Sequence, residues 1–96
     1  MALLSKTDID AHLETLDGWV LDGDGIRKQF TFAGFPEAVA FVSRLVPSAE
    51  SADHHPDITI NYRRVTLSWS THSEGGVTLK DIDGARMSER RAREPR

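Results

Sequence analysis

No cysteine occurs in the 96 residues. Disulfides, zinc thiolate sites and cysteine nucleophiles are thereby excluded, and the lack suits a cytoplasmic location. Long apolar runs are also missing. Nothing approaches the ~18–20 residues of a membrane span, and the opening Met-Ala-Leu-Leu-Ser-Lys turns polar too soon for a secretory signal. Gly75-Gly76 is accompanied neither by Lys-Ser/Thr nor by Gly-x-Gly-x-x-Gly, so no phosphate loop is expected. The Ser and Thr residues near His72 lack a sharp elbow motif, which argues against nucleophilic catalysis. Repeats, low-complexity stretches and internal linkers are absent as well.

What remains is enough for a single domain, 1–96. Net charge is -3, unevenly spread. Residues 1 to 85 hold seven Lys/Arg against thirteen Asp/Glu, whereas Arg86 to Arg96 hold five Arg against Glu89 and Glu94. An acidic body repels phosphate and no aromatic interleaves the arginines, so nucleic acid is not an expected partner. The basic tail, about 88–96, is expected to be a solvated, partly frayed end.

Ser5 or Thr7 is placed to cap a first helix, whose stripe is Ile9, Leu13 and Leu16 and whose stop is Asp17-Gly18. Trp19-Val20-Leu21 and Ile26 to Phe32 read as strands around the turn Asp22-Gly23-Asp24-Gly25. Ile26, Lys28, Phe30 and Phe32 share one face of the second. A second helix starts near Pro36, carries Phe35, Ala38, Val39, Val42, Leu45 and Val46 at helical spacing, kinks at Pro47, and runs to about Ala52. Ile58, Ile60 and Tyr62 alternate as a third strand, and Val65, Leu67 and Trp69 as a fourth. Thr78 caps a last helix, with Asp81 in capping-box position and Ile82, Ala85 and Met87 facing inward. The order α-β-β-α-β-β-α predicts an α+β domain: a four-stranded antiparallel sheet with helices packed on one face.

Chemistry concentrates around His54-His55-Pro56. Proline pushes His55 into an extended conformation where a helix ends and a strand begins, a usual place for working residues. Glu50 and Asp53 lie within one turn and can orient an imidazole. If strands three and four form a hairpin about Arg63-Arg64, the end of strand four returns His72 to the start of strand three. Three imidazoles then converge from two parts of the chain. His12, on the first helix, reads as ordinary surface. A metal is not expected, because adjacent histidines in an extended segment point to opposite sides. General acid–base chemistry remains, since imidazole titrates near neutrality and suits reactions that expel a hydroxyl.

The segment Glu50-x3-His54-His55-Pro56-x5-Tyr62-x9-His72-x8-Asp81 resembles the signature of the pterin-4a-carbinolamine dehydratases. Trp19, Lys28-Gln29-Phe30 and Ser70-Thr71-His72 add to the likeness, which spans residues 5 to 90 or so. The resemblance implies the same sheet-and-helix fold, and an enzyme dehydrating 4a-hydroxytetrahydropterin to quinonoid dihydropterin, without metal or other cofactor. It implies His54, His55 and His72 as catalytic residues, with Asp81 supporting the site. Glu50, Asp53, Ser70 and Thr71 would be further pterin contacts. Of the histidines, His55 would be the main acid/base, His72 its assistant across the ring, and His54 the one that binds and orients. It further implies a homodimer or homotetramer and a functional link to an aromatic amino-acid hydroxylase. Two features depart from the family pattern: Pro47 within the second helix, and the arginine-rich tail. Two rival readings are an interaction protein, since animal members serve as dimerisation cofactors of a homeodomain transcription factor, and an enzyme of a related pterin such as molybdopterin.

Overall fold

Ser5 opens the first helix of the computed structural model, which describes residues 3–95. Its hydroxyl accepts from the Asp8 N–H at 3.1 Å, satisfying one of the amides a helix start leaves without a partner. Helix α1 covers Lys6–Leu13 and ends one turn earlier than Asp17-Gly18 predicts. Leu16 is nevertheless buried, because the following turn, with Gly18 at φ +85°, folds it back beneath the helix.

Strands β1 (Val20–Asp22) and β2 (Gly25–Thr31) pair in the expected hairpin, with Asp22 opposite Gly25. Gly23 takes φ +63°, the positive value a primed two-residue turn requires at its first central position. Helix α2 covers Phe35–Ala52 and passes through Pro47 as one element. Strands β3 (Asp57–Asn61) and β4 (Arg64–Trp69) form the second hairpin. Tyr62 sits in the turn itself at φ 56°, not on the strand face with Ile58 and Ile60. A short 3-10 helix, His72–Glu74, leads to α3 (Leu79–Arg93).

The sheet is antiparallel in the order β1-β2-β4-β3, with the helices on one side. Since β4 opposes both neighbours, β2 and β3 run parallel with β4 inserted between them. Ile26, Phe30, Val65, Leu67 and Trp69 face the helices and meet Ala38, Phe41, Leu45, Ile82 and Ala85 in one core. Phe41 lies 5.0 Å from Phe30 and 4.9 Å from Phe32, ring centre to ring centre. Burial of such side chains contributes about 1.5–3 kcal/mol each. At the far edge the Lys28 ammonium bonds Glu89 at 2.8 Å and the Asp17 carbonyl at 2.9 Å, while Trp19 Nε1 donates to Glu89 at 3.1 Å. That cluster pins the α1–β1 turn to β2 and α3.

Two apolar surfaces stay uncovered. Ile58 and Ile60 oppose Leu67 and Val65 and therefore point to the helix side, yet they are 40% and 38% exposed on the edge strand. On α2, Ala38, Phe41, Leu45 and Ala49 are buried, whereas Phe35, Val39 and Val46 are exposed. The apolar arc of α2 is wider than its neighbours cover. The tail is corrected too: residues 88–93 complete α3, where Ser88 is buried and Arg44 Nε donates to the Arg91 carbonyl at 3.1 Å. Cations in a last turn also suit the negative end of the helix dipole. Arg96, the end of the predicted tail, lies outside the described residues. Among the described residues no helix is long and apolar enough to cross a membrane.

Candidate functional site

The end of α2 places the first histidine. Asp53 takes a left-handed conformation, φ 49° and ψ 44°, which its short polar side chain tolerates better than most. Its N–H bonds the Glu50 carbonyl and the His54 N–H bonds the Ala49 carbonyl, both at 3.2 Å. This pair of bonds is the Schellman closure of a helix. The closure turns the chain sharply and delivers the His54 side chain beneath the ends of β4 and α3.

There it meets Asp81, whose side chain is fully buried. His54 Nε2 lies 2.6 Å from Asp81 Oδ1. The other carboxylate oxygen receives the Thr71 hydroxyl at 2.8 Å and the Thr78 N–H at 2.9 Å. A carboxylate only accepts, so three donors converge on it. With its proton committed to Asp81, Thr71 Oγ1 accepts from the Thr78 hydroxyl at 2.8 Å. The Thr78 hydroxyl oxygen in turn accepts the Lys80 N–H at 3.2 Å. Every proton in the chain has a direction. His54 then carries its neutral-form proton on Nε2, leaving Nδ1 as the basic nitrogen.

His55 repeats the pairing in a wetter setting: its Nε2 lies 2.5 Å from Glu50 Oε2, and both side chains are exposed. His72, also exposed, follows Thr71 directly and opens the 3-10 helix. The register Asp57↔Ser68 brings the end of β4 beside the start of β3, as the hairpin argument requires. Among the described residues no hydrogen bond or ion pair joins one imidazole to another. What joins their segments is Asp81 with Thr71. The other candidates have local employment. Ser70 is buried and donates to the Asp24 carbonyl at 2.7 Å, tying β4 to the first hairpin turn. Asp53 is exposed and serves as the helix cap. No group of three or more His, Asp or Glu side chains is placed to hold a metal among the described residues.

Sequence reasoning missed one neighbour and one space. Trp69 packs against His54, ring centres 5.5 Å apart and ring planes tilted by 31°. The alternation of β4 places Trp69 in the core and the hairpin brings its end beside the start of β3, but nothing in the sequence showed that His54 would turn onto the indole. Between α2 and α3 a cleft of about 450 Å³ opens, with His54 and Trp69 in its wall and Ser48, Ser51, Lys80, Asp83, Met87 and Arg90 around it. Neither His55 nor His72 lines it.

A family model described as pterin 4 alpha carbinolamine dehydratase matches residues 2–91. A protein of Thermosynechococcus vestitus, provisionally named pterin-4-alpha-carbinolamine dehydratase, is 50% identical over 84 residues, 88% of each chain. One of Sulfolobus acidocaldarius with the same provisional name is 43% identical over 83 residues, 86% of this chain and 91% of the relative. The crystal structure of a transcriptional coactivator/pterin dehydratase from Brucella melitensis superposes with a TM-score of 0.90 at 38% identity, covering 95% of this chain and 99% of that one. A pterin dehydratase-like protein identified as a RuBisCO assembly factor in the alpha-carboxysome shares the fold, with a TM-score of 0.65 at 17% identity over 80% of this chain and 89% of that one.

Proposed function

Because the chain belongs to the pterin 4 alpha carbinolamine dehydratase family, we propose that it dehydrates a 4a-hydroxytetrahydropterin to the quinonoid dihydropterin by histidine acid–base catalysis. The observation that carries this reading is the pair of carboxylate–imidazole contacts, His54–Asp81 and His55–Glu50, at adjacent residues with the His72 segment tied to the first through Thr71. In the reaction the C4a–OH bond breaks as an acid protonates the hydroxyl, and a base takes a ring-nitrogen proton. The nitrogen lone pair expels water, so the chemistry calls for imidazoles in defined tautomers and for no electron acceptor. His55 is the main acid/base: it is exposed, and Glu50 on Nε2 leaves Nδ1 as its basic nitrogen. His72 assists from the other side of the ring. His54 sits deeper and binds and orients, with Asp81 holding its tautomer. The substrate is the form in which an aromatic amino-acid hydroxylase would release its spent pterin cofactor, and the quinonoid product would need a two-electron reduction, by a separate reductase, before reuse.

Dehydration of chemically generated carbinolamine, followed by ultraviolet absorbance, tests the reading. The purified chain should outpace buffer, and His55→Ala should lose ~10²–10⁴-fold while keeping its circular dichroism. A wild-type chain no faster than buffer removes the function; a folded His55→Ala at full rate removes His55 from it. A second role rests on a separate observation, the exposed Phe35, Val39 and Val46 on α2. The outer side of α1, with Asp8, Asp10 and Glu14, is polar by contrast. We assign the α2 surface and the β3 edge to contacts with further copies of the chain, giving a homodimer or a tetramer.

A further inference from the structure

Asp81 fixes which nitrogen of His54 carries the proton, but a single hydrogen bond leaves the imidazole free to swing about it. A second contact is needed to set the plane of the ring. We propose that Trp69 is that contact, a positioning residue that acts through His54; the inference rests on the acid–base reading of the site given above. The His54 ring leans on the indole at 31°, centres 5.5 Å apart. The indole is itself immobilised. It is 1% exposed, and its Nε1–H donates to Ser88 Oγ at 3.1 Å, while that hydroxyl donates to the Gly84 carbonyl at 2.7 Å. Gly84 completes the seat. A Cβ there would lie 2.5–2.8 Å from three carbons of the indole, so the backbone of α3 rests directly on the ring. Seat, hydrogen bond and imidazole together form a rigid stack from α3 through β4 to His54. Rigid packing transmits position where an exposed side chain would not. The stack also explains the sequence Trp69-Ser70-Thr71-His72: the residue anchored on α3 is the one from which the chain leaves the sheet toward Thr71 and His72.

The test compares wild type with Trp69→Phe, Trp69→Leu and Ser88→Ala, using three readouts: urea unfolding, kcat and KM on the pterin carbinolamine, and nitrogen-15 NMR of the His54 imidazole. Trp69→Phe keeps a ring beneath His54 and should retain kcat within ~3-fold. Trp69→Leu removes the platform and should lower kcat by about 10–100-fold, the scale of a misplaced group, and raise KM, since His54 both orients and binds the pterin. His54 ring signals in that variant should shift or broaden. Should Trp69→Leu not fold, Ser88→Ala loosens the indole without deleting it, and the same imidazole changes are expected in smaller degree. A folded Trp69→Leu, or failing that a folded Ser88→Ala, with wild-type His54 signals overturns the proposal. So does a loss of stability with kcat untouched. The imidazole readout needs no substrate. Shifted His54 signals in a protein inactive on pterin therefore refute the dehydratase reading while upholding the stack.

Discussion

Replacing Asp81 by Asn changes one atom and should change the protonation pattern of the site. The carboxylate receives three donors, two on Oδ2 and one on Oδ1. Asparagine keeps one oxygen, and the pair Thr71 O–H and Thr78 N–H will claim it, because two bonds outweigh one. The amide nitrogen then faces His54 Nε2, donor against donor. The histidine must yield by moving its proton to Nδ1, so that Nε2 accepts. Loss of charge-assisted bonds in a fully buried place costs about 1–3 kcal/mol of stability. The rate should fall about 10²-fold, the scale of a mispositioned binding group, since Nδ1 would offer a proton where it had offered a lone pair. Urea unfolding reads the first quantity, the carbinolamine assay the second, and imidazole nitrogen shifts the tautomer. A folded Asp81→Asn that keeps the Nε2–H form of His54 at wild-type rate would refute the reasoning.

Light scattering at micromolar concentration should give a multiple of the 10.7 kDa chain mass, and a clean monomer that still dehydrates pterin would contradict the assembly assigned above. Ile58→Lys, on the exposed edge strand, should shift that mass toward monomer. Pro47→Ala restores an amide within α2 and should stabilise the fold by about 1–3 kcal/mol; an unchanged urea midpoint would mean that the helix has already absorbed the cost. Prolonged treatment with a chelator should leave the dehydration rate unchanged, and loss of activity restored by one divalent ion would overturn the metal-free mechanism.

The alternation of Val65, Leu67 and Trp69 and the spacing Thr78 to Asp81 were legible because each reports a local geometry: a period of two, and a helix start. The Schellman closure at Asp53-His54 lacked such a mark, since it has no glycine to announce the left-handed residue. Leu16 suggested a longer α1 because its phase matched; a turn that buries the same side chain has the same phase. Ile58 and Ile60 revealed their face but not whether anything covers it, which depends on how far α2 reaches. The arginines after Ser88 resembled a loose tail, while packing at Met87 and Ser88 and the bond from Arg44 carry the helix on to Arg93. For the site, the seven signature positions stood out and the hairpin brought the end of β4 beside the histidines, yet the left-handed closure at Asp53 that turns His54 onto Trp69 carried no mark.

The convergence on Asp81 also bears on motion. First-turn amides of a helix ordinarily lack partners and open easily. Here the Thr78 N–H ends on the same buried carboxylate that holds the end of α2 through His54 and the end of β4 through Thr71. None of the three segments can loosen alone without stranding a polar group out of reach of water. Their fluctuations belong to one cooperative unit. Hydrogen exchange at the Thr78 amide, which precedes α3, should therefore speed up when His54, a residue it never touches, is removed.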